Sequence, residues 1–296
     1  MNYRPILFML SLFLLSNIQL YGQEDLMQML EEEEEEETVY TYATFKSTRV
    51  VNAHSLENVG GGVLDFRISH RFGRVNSGAY EFFGLDGAQI RLGLEYGLTD
   101  WLMVGVGRSS FEKTYDGFVK GKLLRQSTGK KTMPISLSWF SSIAVKTIRW
   151  PEPDRENYFS SRLDFTHQII FGRKVNENFS FQISPTLVHR NLVENTQLQN
   201  DVFAIGIAAR QKLTPSVSLN AEYWYVLPDQ IADNKTQSLS FGFDIETGGH
   251  VFQLHFTNSP GMIERGFITE TEGDWLLGDI HFGFNISRVF TLVSEK

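Results

Sequence analysis

From Gly60 onward, apolar and polar residues alternate along the chain with a period of two. Leu64, Phe66, Ile68, His70 and Phe72 alternate with Asp65, Arg67, Ser69 and Arg71. Ile90, Leu92, Leu94 and Tyr96 alternate with Gln89, Arg91, Gly93 and Glu95. The pattern recurs to the end, where Phe252, Leu254 and Phe256 alternate with Gln253, His255 and Thr257, and Ile280, Phe282, Phe284 and Ile286 alternate with Asp279, His281, Gly283 and Asn285. Side chains in a strand point alternately to the two faces, so each segment predicts a strand with one apolar and one polar face. About twelve such strands fit into residues 60–296. Each is near the ~9–11 residues that a tilted strand needs to cross a bilayer.

Two architectures satisfy this pattern. A soluble sandwich buries the apolar faces against each other, and a transmembrane barrel turns them to lipid with the polar faces inside. The links favour the barrel. Short links at residues 97–100, 172–178, 212–216 and 247–249, with a longer one at 124–132, alternate with generally longer polar links at 73–87, 108–114, 146–157, 190–201, 228–235 and 258–275. Short turns on one side and long loops on the other are the layout of an outer-membrane barrel. An even strand count also puts both ends of the barrel on the short-turn, periplasmic side. The predicted fold is therefore all-β, an antiparallel up-and-down transmembrane barrel of about twelve strands.

The N-terminal part has a different composition. Residues 1–22 carry Arg4 and a short apolar run, as a secretory signal peptide does, and predict export to the outer membrane of a Gram-negative cell. Residues 23–59 form an acidic leader followed by a mixed segment. Of the formal charge of −8, seven units belong to the glutamates at 31–37, which leaves −1 for everything else. The acidity is thus local, and the balance excludes a basic nucleic-acid binder. Residues 39–57 mix β-branched residues with Lys46, Arg49 and His54, and read as an extra strand, a periplasmic clasp or a segment entering the lumen. The absence of cysteine removes disulfides, thiolate metal sites and haem attachment, and no cofactor is predicted.

The segments ATFKSTRVVNAHSLE (residues 43–57), YGLTDWLMVGVG (96–107), and ETGGHVFQLHFTNS through GDIHFGFNISRVFTL (246–292) resemble a bacterial outer-membrane β-barrel family of unknown function. The resemblance covers nearly the whole chain after the acidic tail. It implies fold and location, and supplies no catalytic or ligand residues.

The candidate functional surface is the lumen. Predicted inward cations are Arg67, Arg71, Arg91, Lys120, Lys122, Arg162 and Arg210, and predicted inward anions are Asp65, Glu95, Asp116, Asp164, Glu222, Asp244, Glu246 and Asp279. Balanced charges of this kind either brace the wall or screen permeating solutes. If Asn258 pairs near Leu276, His255 faces Asp279 with His281 diagonal to it; a hydrogen-bonded network is the expectation there, with a metal site as the less favoured reading. Outward His70, His167 and His189 have no obvious serine beside them, and neither GxSxG nor HExxH occurs, so no enzyme is predicted. In the 258–275 loop, Met262, Ile263, Phe267 and Ile268 are apolar for a solvent loop; packing on neighbouring loops is expected, and folding into the pore is the alternative. The function expected is a narrow porin-like channel or transporter for small polar solutes, with a non-conducting barrel serving as a surface or periplasmic docking protein as the alternative. Expected partners are outer-membrane lipid, a small polar solute, and a periplasmic or surface protein.

Overall fold

The computed structural model describes residues 37–293 except Glu194, Thr196 and Gly249. The predicted signal peptide and most of the acidic leader lie outside the described residues. Two short strands, Val39–Tyr40 and Ser127–Thr128, pair antiparallel in a small unit of their own.

The second unit is the barrel. Among the described residues, twelve antiparallel strands close into a ring. They are β1 (Val63–Arg74), β2 (Ala88–Gly97), β3 (Leu102–Ser109), β4 (Thr114–Leu124), β5 (Ser136–Lys146), β6 (Leu163–Lys174), β7 (Phe179–Arg190), β8 (Asp201–Lys212), β9 (Val217–Val226), β10 (Ser238–Thr247), β11 (His250–Thr257) and β12 (His281–Thr291). Each strand pairs with its neighbours in sequence, and β12 closes on β1 through pairs such as Ile286↔Ile68 and Ser287↔Arg67. Closure leaves no free sheet edge. Burial alternates along the strands as the pattern predicts: on β8, Phe203, Ile205 and Ile207 face outward while Val202, Ala204 and Ala208 are buried.

Two strand starts differ from the sequence expectation. Arg162 ends a 3-10 turn, Phe159–Arg162, instead of entering β6. Its guanidinium donates to the carbonyls of Lys146 and Ile148 at 2.8 and 2.7 Å and stacks on Trp150. Asp279 precedes β12. Its carboxylate accepts from Asn76 Nδ2 at 2.8 Å and pairs with Arg74 at 3.2 Å, which holds it at the long-loop rim. In both cases local hydrogen-bonding partners outside the sheet win over continuation of the strand.

The interior is filled. Residues 41–62 enter from the short-turn rim, run inward and return to start β1. Arg49 and His54 bridge across a tight turn whose tip is Val51 and Asn52. The turn is closed by Val50 N–H to Ala53 O and Ser55 N–H to Thr48 O, both 2.9 Å. From the opposite rim the loop between β11 and β12 folds into the barrel. It carries a single helical turn and a half, α1 (Glu264–Thr269), whose residues are all buried. Of the two expectations for this loop, inward folding is the one the structure adopts. Phe267 and Ile268 join Trp224, Val188, Val202 and Ala53 in one apolar cluster, a contact that loop packing at the surface would not provide.

Candidate functional site: the plugged lumen

The inward residues of the wall are hydrogen-bonded to the plug more than to one another. Glu222 on β9 receives the tip. Its carboxylate accepts the backbone N–H of Val51 at 3.1 Å, of Asn52 at 2.9 Å and of Ala53 at 3.0 Å. A tight turn leaves successive N–H groups pointing the same way without strand partners, and a carboxylate is the acceptor that satisfies several of them at once. The tip carbonyls are taken as well. Val50 O accepts from Gln253 Nε2 at 2.9 Å and Val51 O from Asn285 Nδ2 at 3.0 Å. Asn52 donates to Ser240 Oγ at 3.1 Å and accepts from Arg71.

The arms of the plug are held in the same way. Arg67 Nη2 donates to Ser47 Oγ, Thr48 Oγ1 and Asp65 Oδ2 at 2.8, 3.0 and 3.1 Å. Arg49 of the plug pairs with Glu95 of the wall at 3.1 Å, and Thr48 donates to the other oxygen of Glu95. Lys120, fully buried, donates to the carbonyls of Ser55 and Glu57. Arg210 donates to Ala43 O at 3.1 Å, and Lys46 pairs with Glu246 at the rim. Gln182 Nε2 donates to His54 O at 2.7 Å. A buried charge is costly unless it is paired or hydrogen-bonded: Glu95 gains an ion pair from Arg49 of the plug, and Glu222, Lys120 and Arg210 gain hydrogen bonds with plug backbone.

Other sequence candidates have different surroundings. Arg91 pairs with Asp116 through Nε at 3.0 Å and Nη2 at 2.5 Å. Gly93 and Gly107 make room for it: a Cβ on Gly107 would stand 2.4 Å from the guanidinium. These inner-face glycines therefore accommodate a bulky side chain rather than widen a bore. Asp244 accepts from Gln253 at 2.7 Å, next to the plug. Lys122 stands near the short-turn rim, 3.9 Å from Glu57. His255 is buried opposite Gly283, not opposite Asp279, because Thr257 pairs with His281. His281 Nδ1 lies 2.8 Å from Phe72 O. His255, Asp279 and His281 are therefore not brought together.

A second charge cluster closes the long-loop side. Arg265 of α1 pairs with Asp164 of β6 at 3.0 Å, with Glu270 at 2.9 Å, and with Glu112. Lys235 reaches Glu270 at 3.2 Å and Glu272 at 2.8 Å. Burial works against a charged Glu270, but Arg265 and Lys235 outweigh it and hold the carboxyl below its usual range. Glu264 has the opposite balance, and burial raises it. The two fillings meet at the barrel centre, where His54 Nε2 is 3.7 Å from Glu264 Oε1 and the imidazole lies against Phe140 and Phe118, centroids 4.1 and 4.6 Å away.

The inward Phe118, Phe140, Met103 and Trp224 and the plug residues Thr48, Asn52 and Ser55 were not among the sequence candidates. The inward aromatic residues stand in the polar-face positions of their strands, which was the available signal. Nothing local marks the plug contacts, since Glu222 and its three donors are about 170 residues apart.

Residues 45–290 match a family described as a membrane bound beta barrel domain (DUF5777). The chain belongs to this family. The match to DUF5777 begins at Phe45, so it takes in most of the plug as well as the ring of strands. The protein is thus a membrane-bound β-barrel, as its outward Phe, Leu and Ile require. No curated protein matches it. Among solved structures, the NanC porin is similar at 9% identity, with 78% of this chain and 100% of that chain covered and a TM-score of 0.47. An outer membrane channel from Pseudomonas putida F1 is similar at 13% identity, covering 81% and 100%, with a TM-score of 0.45. Omp33 of Acinetobacter baumannii is similar at 9% identity, covering 77% and 97%, with a TM-score of 0.41.

Proposed function

We propose that this protein is an outer-membrane conduit for small polar solutes that its own N-terminal segment holds shut. The short-turn rim and both ends of the strand ring then face the periplasm, consistent with the signal-like residues 1–22. The observation that carries the reading is the nature of the plug's contacts. The wall holds it largely through charged and amide side chains on backbone groups, as Glu222, Gln253, Asn285, Lys120 and Arg210 do. Water or a polar solute offers equivalent hydrogen bonds, so the plug is exchangeable in a way that a fully apolar core is not. Without it, Arg67, Arg71 and Lys120 would share a wet bore with Asp65, Glu95, Glu222 and Asp244, a polar lining of mixed charge suited to uncharged or zwitterionic solutes.

One observation favours a second reading, a closed barrel used for docking: α1, buried along its whole length, enters the lumen from the opposite rim. Planar-bilayer recording separates the two. The full chain and a chain lacking residues 23–57 are compared, each shown to be folded by heat-modifiable migration. Conductance steps only after truncation are expected. Steps of equal size in the full chain would refute closure by the plug, and silence in both would favour docking.

A further inference from the structure

Midway along the outward wall sits a polar pair in apolar surroundings. Ser141 of β5 and His167 of β6 are cross-strand partners, with Oγ and Nδ1 2.7 Å apart, so strand pairing supplies the serine that the sequence does not show beside this histidine. Two other outward histidines have neighbours within the wall: His70 stacks on Phe284, centroids 4.9 Å apart, and His189 pairs with Asp201 at 2.6 Å. His167 is exposed, and its bond to Ser141 uses Nδ1 and leaves Nε2 as the open polar atom. Hydrocarbon offers that atom no partner, so a polar side chain in this position calls for protein cover.

Beside it lies a groove of about 370 Å³ lined by His167, Pro185, Leu187, Phe203, Ile205 and Leu227. Pro185 has no N–H to give to a ladder, and the β6–β7 pairing lapses there, between Gln168↔Thr186 and Phe171↔Ile183. On the other side of His167, β5 presents Trp139, which pairs with Ile169 and so stands near the level of Pro185.

We propose that this wall, centred on His167, is the contact surface for a second copy of the chain. Two copies inserted the same way in one bilayer are related by a two-fold axis along the membrane normal, which sets each residue opposite others of equal depth. An axis beside β6 places His167 against the other copy's His167 and β5 against β7. The Trp139 side of each wall then meets the Pro185 groove of the other, which sets an apolar aromatic ring at the level of the groove in both directions. The Ser141 hydroxyl either donates to Nδ1 or accepts from it, which lets one imidazole present Nε2–H and the other a bare Nε2. Acyl chains do not offer the hydrogen bond.

The chain has no cysteine, so a single substitution reads the contact directly. His167→Cys and, as a less intrusive second variant, Ile169→Cys are oxidised in liposomes beside Leu254→Cys on β11, across the barrel. Folding of each is checked by heat-modifiable migration. Disulfide-linked dimer at 167 or 169 is expected in at least tenfold excess over that at 254. Equal yields at the three positions, or a monomer in lipid nanodiscs, would overturn the proposal and assign the wall to lipid. Neither readout depends on conductance.

Discussion

Glu222→Gln should release the plug tip while leaving the ring of strands intact. In the native chain one carboxylate accepts the N–H groups of Val51, Asn52 and Ala53. Glutamine keeps the shape but offers one carbonyl oxygen, and its amide N–H₂ faces donors. At least one buried N–H loses its acceptor and the others lose charge assistance. A buried unsatisfied donor costs about 1–3 kcal/mol and charge assistance adds a similar amount, so the docked tip should weaken by about 3 kcal/mol, or about a hundredfold in its release equilibrium. The assay is thiol labelling of Ala53→Cys in an otherwise cysteine-free chain, using a membrane-impermeant reagent. Ala53 is 2% exposed, so labelling reports release of the tip. The rate should rise about a hundredfold in the Glu222→Gln background and little with Ser218→Ala, on the same face four residues away. Equal rates with and without the Glu222 substitution would refute the assignment of Glu222 as the plug's anchor.

Three further outcomes are expected. Phe267→Ala, which empties a site against Trp224 in the cluster shared with Ala53, should cost about 3–5 kcal/mol of loop docking, seen as faster protease cleavage between residues 259 and 271. Gly107→Val should displace Arg91 from Asp116 and lower the temperature at which heat-modifiable migration is lost; an unchanged temperature would contradict the packing described for that glycine. The Glu270 carboxyl is depressed by Arg265 and Lys235, so its stabilisation of the loop is fully present above its ordinary value of 4.5 and is lost as pH falls through the lowered one. The difference in protease protection of the loop between the native chain and Glu270→Gln should therefore stay constant from neutral pH to about 5 and shrink in stronger acid.

The sequence by itself determined the ring. A period of two assigns each side chain to a face without knowledge of its neighbours, and the alternation of short and long links orders the strands as nearest neighbours. That is why Arg67, Glu95, Lys120 and Glu222 could be placed inward, and why they are buried there. Residues 41–62 have no such period. Their conformation is a tight turn satisfied by Glu222, Gln253 and Asn285, groups far along the chain, so the choice among strand, clasp and plug was made by tertiary contacts. The same holds for α1, whose apolar Phe267 and Ile268 announce burial but not the surface that buries them. Register was also decided globally. Pairing of Thr257 with His281 sets His255 opposite Gly283, and the competing partners Asn76 and Arg74 keep Asp279 at the rim. Local alternation fixes which face a residue takes, but what meets it across the lumen depends on chain closure, which no local pattern encodes.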